Sequence, residues 1–419
     1  MKRFLRILCC VGIIALCCSC SPKKTDNTPT SNDDVQTQSR DTQQTELPNT
    51  PKAQKIHFLA VGDNMMHQSI LTQAQKSAAA LASKGSASED YYFADMYENV
   101  ADLIQKADIS FVNQEAPIAG SDFGIAGYPL FNAPEETGKT LVDLGFDIVN
   151  IANNHMLDMD GIYKGTGYKN SIAFWKKQNV LMIGGYESQS DYDAPHIIER
   201  DGIKIAMLSY TYGTNGRTQN AASDCVVPLI DDAVIRRQIQ AVKSQADLVF
   251  VSMHWGDENT FRVSEEQKRL AQLIADAGAD AIIGHHSHTI QPIEWITGTS
   301  GNRTLCIYSL GNFISTMQKS YNLLGGVCEF DIVKNDGEKA YIENVTLTPI
   351  MCHYIADPDK MDSQELPVRS GVKLYTLSDY TAQLCQENGA QLWGAFDLNT
   401  LYKYVTDTIS DEFLPKNWK

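Results

Sequence analysis

Ala281-Ile282-Ile283-Gly284-His285-His286-Ser287-His288 is the stretch on which the reading of this chain turns. An apolar, β-branched run stops at glycine and opens at once into histidines. Runs of this kind fit strands buried on both faces. The His286-x-His288 pair puts two imidazoles on one tight turn, where they can grip an ion. The same grammar recurs upstream. Phe58-Leu59-Ala60-Val61 runs into Gly62-Asp63, and Ile109-Ser110-Phe111-Val112 into Asn113-Gln114-Glu115. Ile148-Val149-Asn150-Ile151 runs into Ala152-Asn153-Asn154-His155, and Val249-Phe250-Val251-Ser252-Met253 into His254-Trp255-Gly256. Taken singly, each of these residues has an ordinary structural explanation as a turn former, a helix cap or a hydrogen-bonded core histidine. Together they follow one rule: in α/β sheets the ligand crevice lies at the carboxyl ends of the strands. Asp63, Glu115, Asn154, His254, His286 and His288 should therefore share one metal-binding pocket.

Between the strand-like runs lie helical stretches. Ser264 to Gly278 is the clearest. Ser264 and Gln267 have capping-box spacing, Leu270, Leu273, Ile274 and Ala277 recur at helical intervals, and Gly278 stands where a helix should stop. Further strands are expected at Lys204 to Ser209 and Leu305 to Ser309. This alternation predicts an α/β domain over residues 56–350 with mostly parallel strands. Residues 351–419 are less regular and are read as a C-terminal helical extension, with helices at Tyr380 to Gln386 and Leu398 to Phe413.

The motifs Gly62-Asp63, Asn113-Gln114-Glu115, Ala152-Asn153-Asn154-His155, His254-Trp255-Gly256-Asp257-Glu258, His286-Ser287-His288 and Ser309-Leu310-Gly311-Asn312-Phe313 resemble the bacterial capsule-synthesis CapA family, which is linked to poly-γ-glutamate capsules. That family is similar to the calcineurin-like metallophosphoesterases. The resemblance implies a sandwich of two central sheets flanked by helices and a site for one or two divalent ions. Asn154, His254 and His286 would hold one ion, Asp63 and His288 the other, and Glu115 would bridge. It also implies that His155 acts on the leaving group, oriented by Asp158. His67, Trp255, Glu258 and Asn312 would contact substrate. Carboxylate, amide and imidazole ligands without thiolate suit Mn, Fe or Zn.

Two departures stand out. The wider superfamily begins with Asp-x-His, whereas Asp63-Asn64-Met65 ends in methionine. His67, two residues on, either compensates, meets substrate or caps the following helix. Asp160-Gly161 stands where the family would have glycine at 160. The resemblance thus leaves three functional readings: a phosphoesterase-type hydrolase, an accessory protein of a capsule-polymer assembly complex with capsule-synthesis membrane proteins, or an amide-directed enzyme acting on the polymer.

The ends and the charge set the location. Lys2, Arg3 and Arg6 precede an apolar run, Ile7 to Cys18, too short to span a bilayer but suited to a secretory signal. It closes on Cys17-Cys18-Ser19-Cys20, which resembles a bacterial lipoprotein signal. Cys20 is the preferred lipidation site and Cys18 the alternative. Residues 1–20 are thus expected to be a lipoprotein signal peptide, and 21–55, lacking any aromatic residue, a disordered linker. The domain is then expected at the extracellular face of the bacterial cell membrane, lipid-anchored. The chain of 419 residues has a net charge of −16; the signal contributes +3 and the linker nothing, so residues 56–419 carry −19. Such acidity argues against general nucleic-acid binding and against simple electrostatic capture of an anionic envelope polymer. Beyond Cys20 the chain keeps Cys225, Cys306, Cys328, Cys352 and Cys385, an odd number without a Cys-x-x-Cys pair.

Overall fold

The computed structural model describes residues 53–419 except 87–88, 162–165, 220–222 and 363. The expected signal, Cys20 and almost all of the linker lie outside the described residues. No helix among those described is long and apolar enough to cross a membrane.

The strands β1 (Gln54–Asn64), β2 (Ile109–Gln114), β3 (Ile148–Asn150) and β4 (Leu181–Ile183) pair in parallel. The next six make a separate sheet: β5 (Ile197–Arg200), β6 (Ile203–Thr211), β7 (Leu248–His254), β8 (Ala281–His285), β9 (Ile293–Thr297) and β10 (Arg303–Ile307). The last four, β11 (Asn312–Ile314), β12 (Leu324–Lys334), β13 (Tyr341–Met361) and β14 (Pro367–Thr376), return to the first sheet. Its order is β14-β13-β12-β1-β2-β3-β4, with β11 parallel to the end of β1; the second sheet runs β5-β6-β7-β8-β10-β9. The expected two-sheet α/β sandwich is therefore present.

Two expectations need correction. The sheets are mixed rather than mostly parallel, because β12, β13 and β14 form an antiparallel wing and β5 and β9 are antiparallel edges. The boundary at 350 also falls inside β13, so residues 351–376 are largely strand. Antiparallel strands joined by short connections need no crossover helix, and half-exposed strands lose the continuous apolar runs that make central strands visible. Helices do follow at Ala382–Glu387 and Leu398–Thr408. The Glu265–Ala277 helix has the predicted capping box at Ser264 and a left-handed stop at Gly278.

β7 shows why the central runs are apolar throughout. Leu248 and Phe250 face the core between the sheets, while Val249, Val251 and Met253 pack under the helices outside. Phe250 meets Phe58 at 5.2 Å edge-on, and Phe58 stacks on Phe330 at 4.9 Å, so the three rings join the two sheets. Each fully buried ring contributes roughly 2–3 kcal/mol of transfer free energy. All five described cysteines are free and buried, and none forms a disulfide.

Candidate metal centre

Parallel pairing aligns the carboxyl ends of β1, β2 and β3 with those of β7 and β8 across the sandwich. Gly62 makes one approach possible: a Cβ there would sit 1.9 Å from the Gly311 carbonyl oxygen. That carbonyl instead accepts the Asp63 backbone N–H at 2.9 Å, which draws the 309–312 segment against β1.

Asp63 is fully buried and held by a relay of amides. Ser209 Oγ donates to Asn150 Oδ1 at 2.5 Å, Asn150 Nδ2 to Asn113 Oδ1 at 2.8 Å, and Asn113 Nδ2 to Asp63 Oδ1 at 2.8 Å. His285 Nδ1 lies 3.3 Å from Asp63 Oδ1 and His288 Nδ1 3.2 Å from Oδ2. Burial alone would raise Asp63, but these imidazoles outweigh it and hold the carboxyl well below the usual carboxylate range.

Glu115 is also fully buried, and neither carboxylate oxygen has a hydrogen-bond partner among the described residues. Its Oε1 is 3.8 Å from both His254 Nε2 and His288 Nε2, too long for a direct bond but suited to sharing a cation. Burial, and then the charge of Asp63, push Glu115 well above its ordinary value. His288 is driven up to about 10, because Glu115 and Asp63 overcome its burial. Asp63 and His288 already form an ion pair. A second buried carboxylate in the same pocket needs a proton or a cation, since an unpaired buried charge costs several kcal/mol.

His254 Nε2 donates to Asn154 Oδ1 at 2.9 Å, and Asn154 Nδ2 donates to Asn215 Oδ1 at 3.2 Å. Burial, then the neighbouring His286, holds His254 well below its ordinary value. Burial lowers His286 to about 3, with His288 adding to the effect. These imidazoles are thus neutral, the form that ligates metal. His286 and His288 sit at φ 92° and 53°, in the left-handed region, which costs roughly 1–3 kcal/mol each for residues with a Cβ. Two groups of ligand atoms lie close enough to hold an ion: Asp63, Glu115 and His254, and Glu258, His286 and His288. Orphaned carboxylate oxygens, neutral imidazoles and an all-oxygen-and-nitrogen donor set fit a divalent cation.

At the mouth, His155 Nδ1 bonds Asp158 Oδ2 at 2.7 Å, and the same oxygen accepts the Phe131 N–H at 2.8 Å. The His155 ring packs edge-on against Phe131 at 4.7 Å. Asn312 Oδ1 accepts from His288 Nδ1 at 3.0 Å and thereby orients that ring. His155, His288, His67, Met65 and Glu258 line one cavity of about 510 Å³. His67 holds the helix N-cap position but its side chain does not cap. Its Nδ1 accepts from the Thr316 N–H at 3.3 Å, and burial lowers its pKa to about 3. Trp255 is a correction. It is 1% exposed and donates to the Tyr308 carbonyl at 3.0 Å on the helix-covered side of the second sheet, so it cannot contact substrate.

The sequence did not single out His285, Asn113 or Asn150, although all lie in the strand-end stretches quoted. Nor did it find Tyr212, whose ring covers His286 at 4.5 Å. The run read as ending at Ser209 continues to Thr211, and Tyr212 is the residue at its true end.

Residues 57–317 match the model of the family described as bacterial capsule synthesis protein PGA_cap. The chain belongs to that family. It is 32% identical over 232 residues to a PGA biosynthesis protein CapA of Bacillus subtilis, covering 55% of this chain and 57% of that one. It is 36% identical over 203 residues to a probable polyglutamine synthesis accessory protein of Mycobacterium tuberculosis, covering 46% and 52%. The chain thus spans about half the length of the curated relatives it matches. Solved structures alike in outline include a novel phosphatase from Mycoplasma pneumoniae, with 14% identity, 72% of this chain and 95% of that one, and TM-score 0.41. A Haemophilus influenzae NAD nucleotidase matches at 14% identity, 87% and 58% coverage, and TM-score 0.41. Neither likeness bears on the site of this PGA_cap family member.

Proposed function

We propose that this PGA_cap family member is a metal-dependent hydrolase of the phosphoesterase type. It acts in the synthesis of a capsule or envelope polymer of the poly-γ-glutamate class, at the outer face of the cell membrane to which Cys20 anchors it. The observation that carries the reading is Glu115: a buried carboxylate with no hydrogen-bond partner among the described residues, its Oε1 3.8 Å from both His254 and His288. Asp63, Glu115, Asn154, His254, His286 and His288, joined by Glu258, would hold one or two ions of Mn, Fe or Zn. Such ions polarise the bond to be broken and neutralise charge that develops on it. Asp158 accepts from His155 Nδ1–H and supports the imidazolium form, whose Nε2–H would protonate the departing group. Phe131 limits rotation of that imidazole. Tyr212 shields one side of the ligand cluster from water.

Manganese-loaded protein is expected to release product from bis(p-nitrophenyl) phosphate or to shorten poly-γ-glutamate, with His155→Asn inactive. A folded, metal-loaded protein inert toward both would contradict the proposal. Met65 favours a second reading. It lines the cavity where the wider superfamily would place a histidine, and a thioether is a poor ligand for hard cations. In that case the protein serves as a non-catalytic accessory or anchor in a polymer-assembly complex, and His155→Asn leaves capsule production unchanged.

A further inference from the structure

From the ligand cluster only His288 and Glu258 reach the lining of the 510 Å³ cavity, beside His155 and His67. Another part of its wall comes from Lys319, Gln364 and Arg369, all beyond residues 57–317 that define the family match. Arg369, on β14, is 6% exposed. Its Nη1 donates to the Thr316 carbonyl at 2.6 Å, and its Nη2 lies 3.4 Å from Asp362 Oδ2. Its Nε has no partner among the described residues. A guanidinium carries five donors, and burying it beside one distant carboxylate leaves it under-satisfied. Lys319 stands exposed at the same cavity, donates to the Trp393 carbonyl at 3.1 Å, and pairs with no carboxylate among the described residues. Gln364 bonds the Tyr128 carbonyl, which ties the wall to an aromatic rim. Two cations therefore face one cavity in a chain whose net charge is −16. The acid that lines it, Glu258, groups with His286 and His288 on the ligand side.

We propose that Arg369, aided by Lys319, forms an oxyanion subsite that receives a carboxylate or phosphate of the substrate and so presents the neighbouring bond to the metal centre. This rests on the hydrolase reading and supplies what that reading lacks, a reason for an acidic domain to accept an anionic chain. The planar guanidinium fork matches either oxyanion through paired N–H bonds. Because the subsite comes from the antiparallel wing, it would set the substrate preference of this chain separately from its ligand cluster.

The test is calorimetric titration of the full chain in EDTA, so that no metal competes for the anion. The probes are γ-glutamylglutamate and inorganic phosphate. The wild type is expected to bind at least one, and the tighter of the two identifies the oxyanion. Arg369→Gln should weaken that binding tenfold or more, Arg369→Lys should restore part of it, and Lys319→Gln should weaken it about threefold. A melting curve checks the fold of Arg369→Gln, and the exposed Lys319→Gln keeps the test alive if that variant unfolds. Wild type binding neither probe, or both variants binding like wild type, overturns the subsite. Hydrolysis by manganese-loaded wild type is scored separately, so an inactive protein that still binds through Arg369 refutes the hydrolase reading alone.

Discussion

At the Gln54 end of β1, Lys55 and His57 meet Asp331 and Glu329 of β12; at the other end, Asp63 and the strand ends beside it meet one another. Lys55 Nζ is 2.8 Å from Asp331, and His57 reaches Glu329 and Asp331 at 3.2 and 3.3 Å. Asn344 supplies a further donor to Asp331 at 2.8 Å. Every carboxylate there has a partner, and the Glu329 contact leads in raising His57 above its ordinary value. Beside the other end of that strand, one residue past β2, Glu115 is buried with neither oxygen hydrogen-bonded among the described residues, while burial holds His254 and His286 neutral. One end is complete as folded. The other is built at a cost to stability, and such a cost is common where a ligand is to be bound.

The sharpest way to break this comparison is to remove a carboxylate from each end. Glu115→Met should abolish metal binding and drop metal-dependent turnover about 10⁴-fold or more. The metal-free variant should nonetheless be about 1–3 kcal/mol more stable than the metal-free wild type, because an orphaned polar group has been replaced by an apolar one. Asp331→Asn at the far end should be destabilising instead. Urea unfolding in EDTA measures both, and a less stable Glu115→Met would mean the strand-end charge is satisfied after all. His155→Asn should lower kcat by about 10²–10⁴-fold and leave metal content unchanged, as read by steady-state kinetics and elemental analysis.

Metal addition comes next in size. Manganese at a hundred times its Kd should stabilise the wild type by about 2.7 kcal/mol, EDTA should reverse this, and Glu115→Met should not respond. Thermal unfolding with and without manganese reads the difference. The smallest effect belongs to His57. Its folded pKa lies above the unfolded value near 6.5, so its ion pairs contribute fully below that pH and fade as pH rises through the folded value. Wild type should exceed His57→Gln by no more than about 1 kcal/mol at pH 5.5, and the gap should close on the alkaline side. A gap that widens with pH would contradict the assignment.

The same contrast governs how much could be read from sequence. Strands buried on both faces, such as β7 and β8, are continuous apolar runs, and their polar endings stand out against them. Those endings gave the six candidate ligand residues and His155. The antiparallel wing lacks that signature: exposed and half-buried positions break up β14 and both ends of β13, so residues 351–376 read as part of a helical extension. Arg369 was lost with them. Trp255 was misplaced for a related reason. It follows a candidate ligand directly, but neighbours along an extended chain point to opposite faces, so His254 faces the pocket while Trp255 faces the helices. The amide relay behind Asp63 also escaped notice, because Asn113 and Asn150 become meaningful only once β2 and β3 lie side by side.

The central claim is that Glu115 lies between bound cations, and anomalous diffraction from manganese-soaked crystals tests it most directly. One or two ions within about 2.0–2.2 Å of the Glu115 carboxylate, contacted also by Asp63, His254 or His288, is the predicted result. A manganese-saturated crystal with no anomalous peak against Glu115 would contradict it.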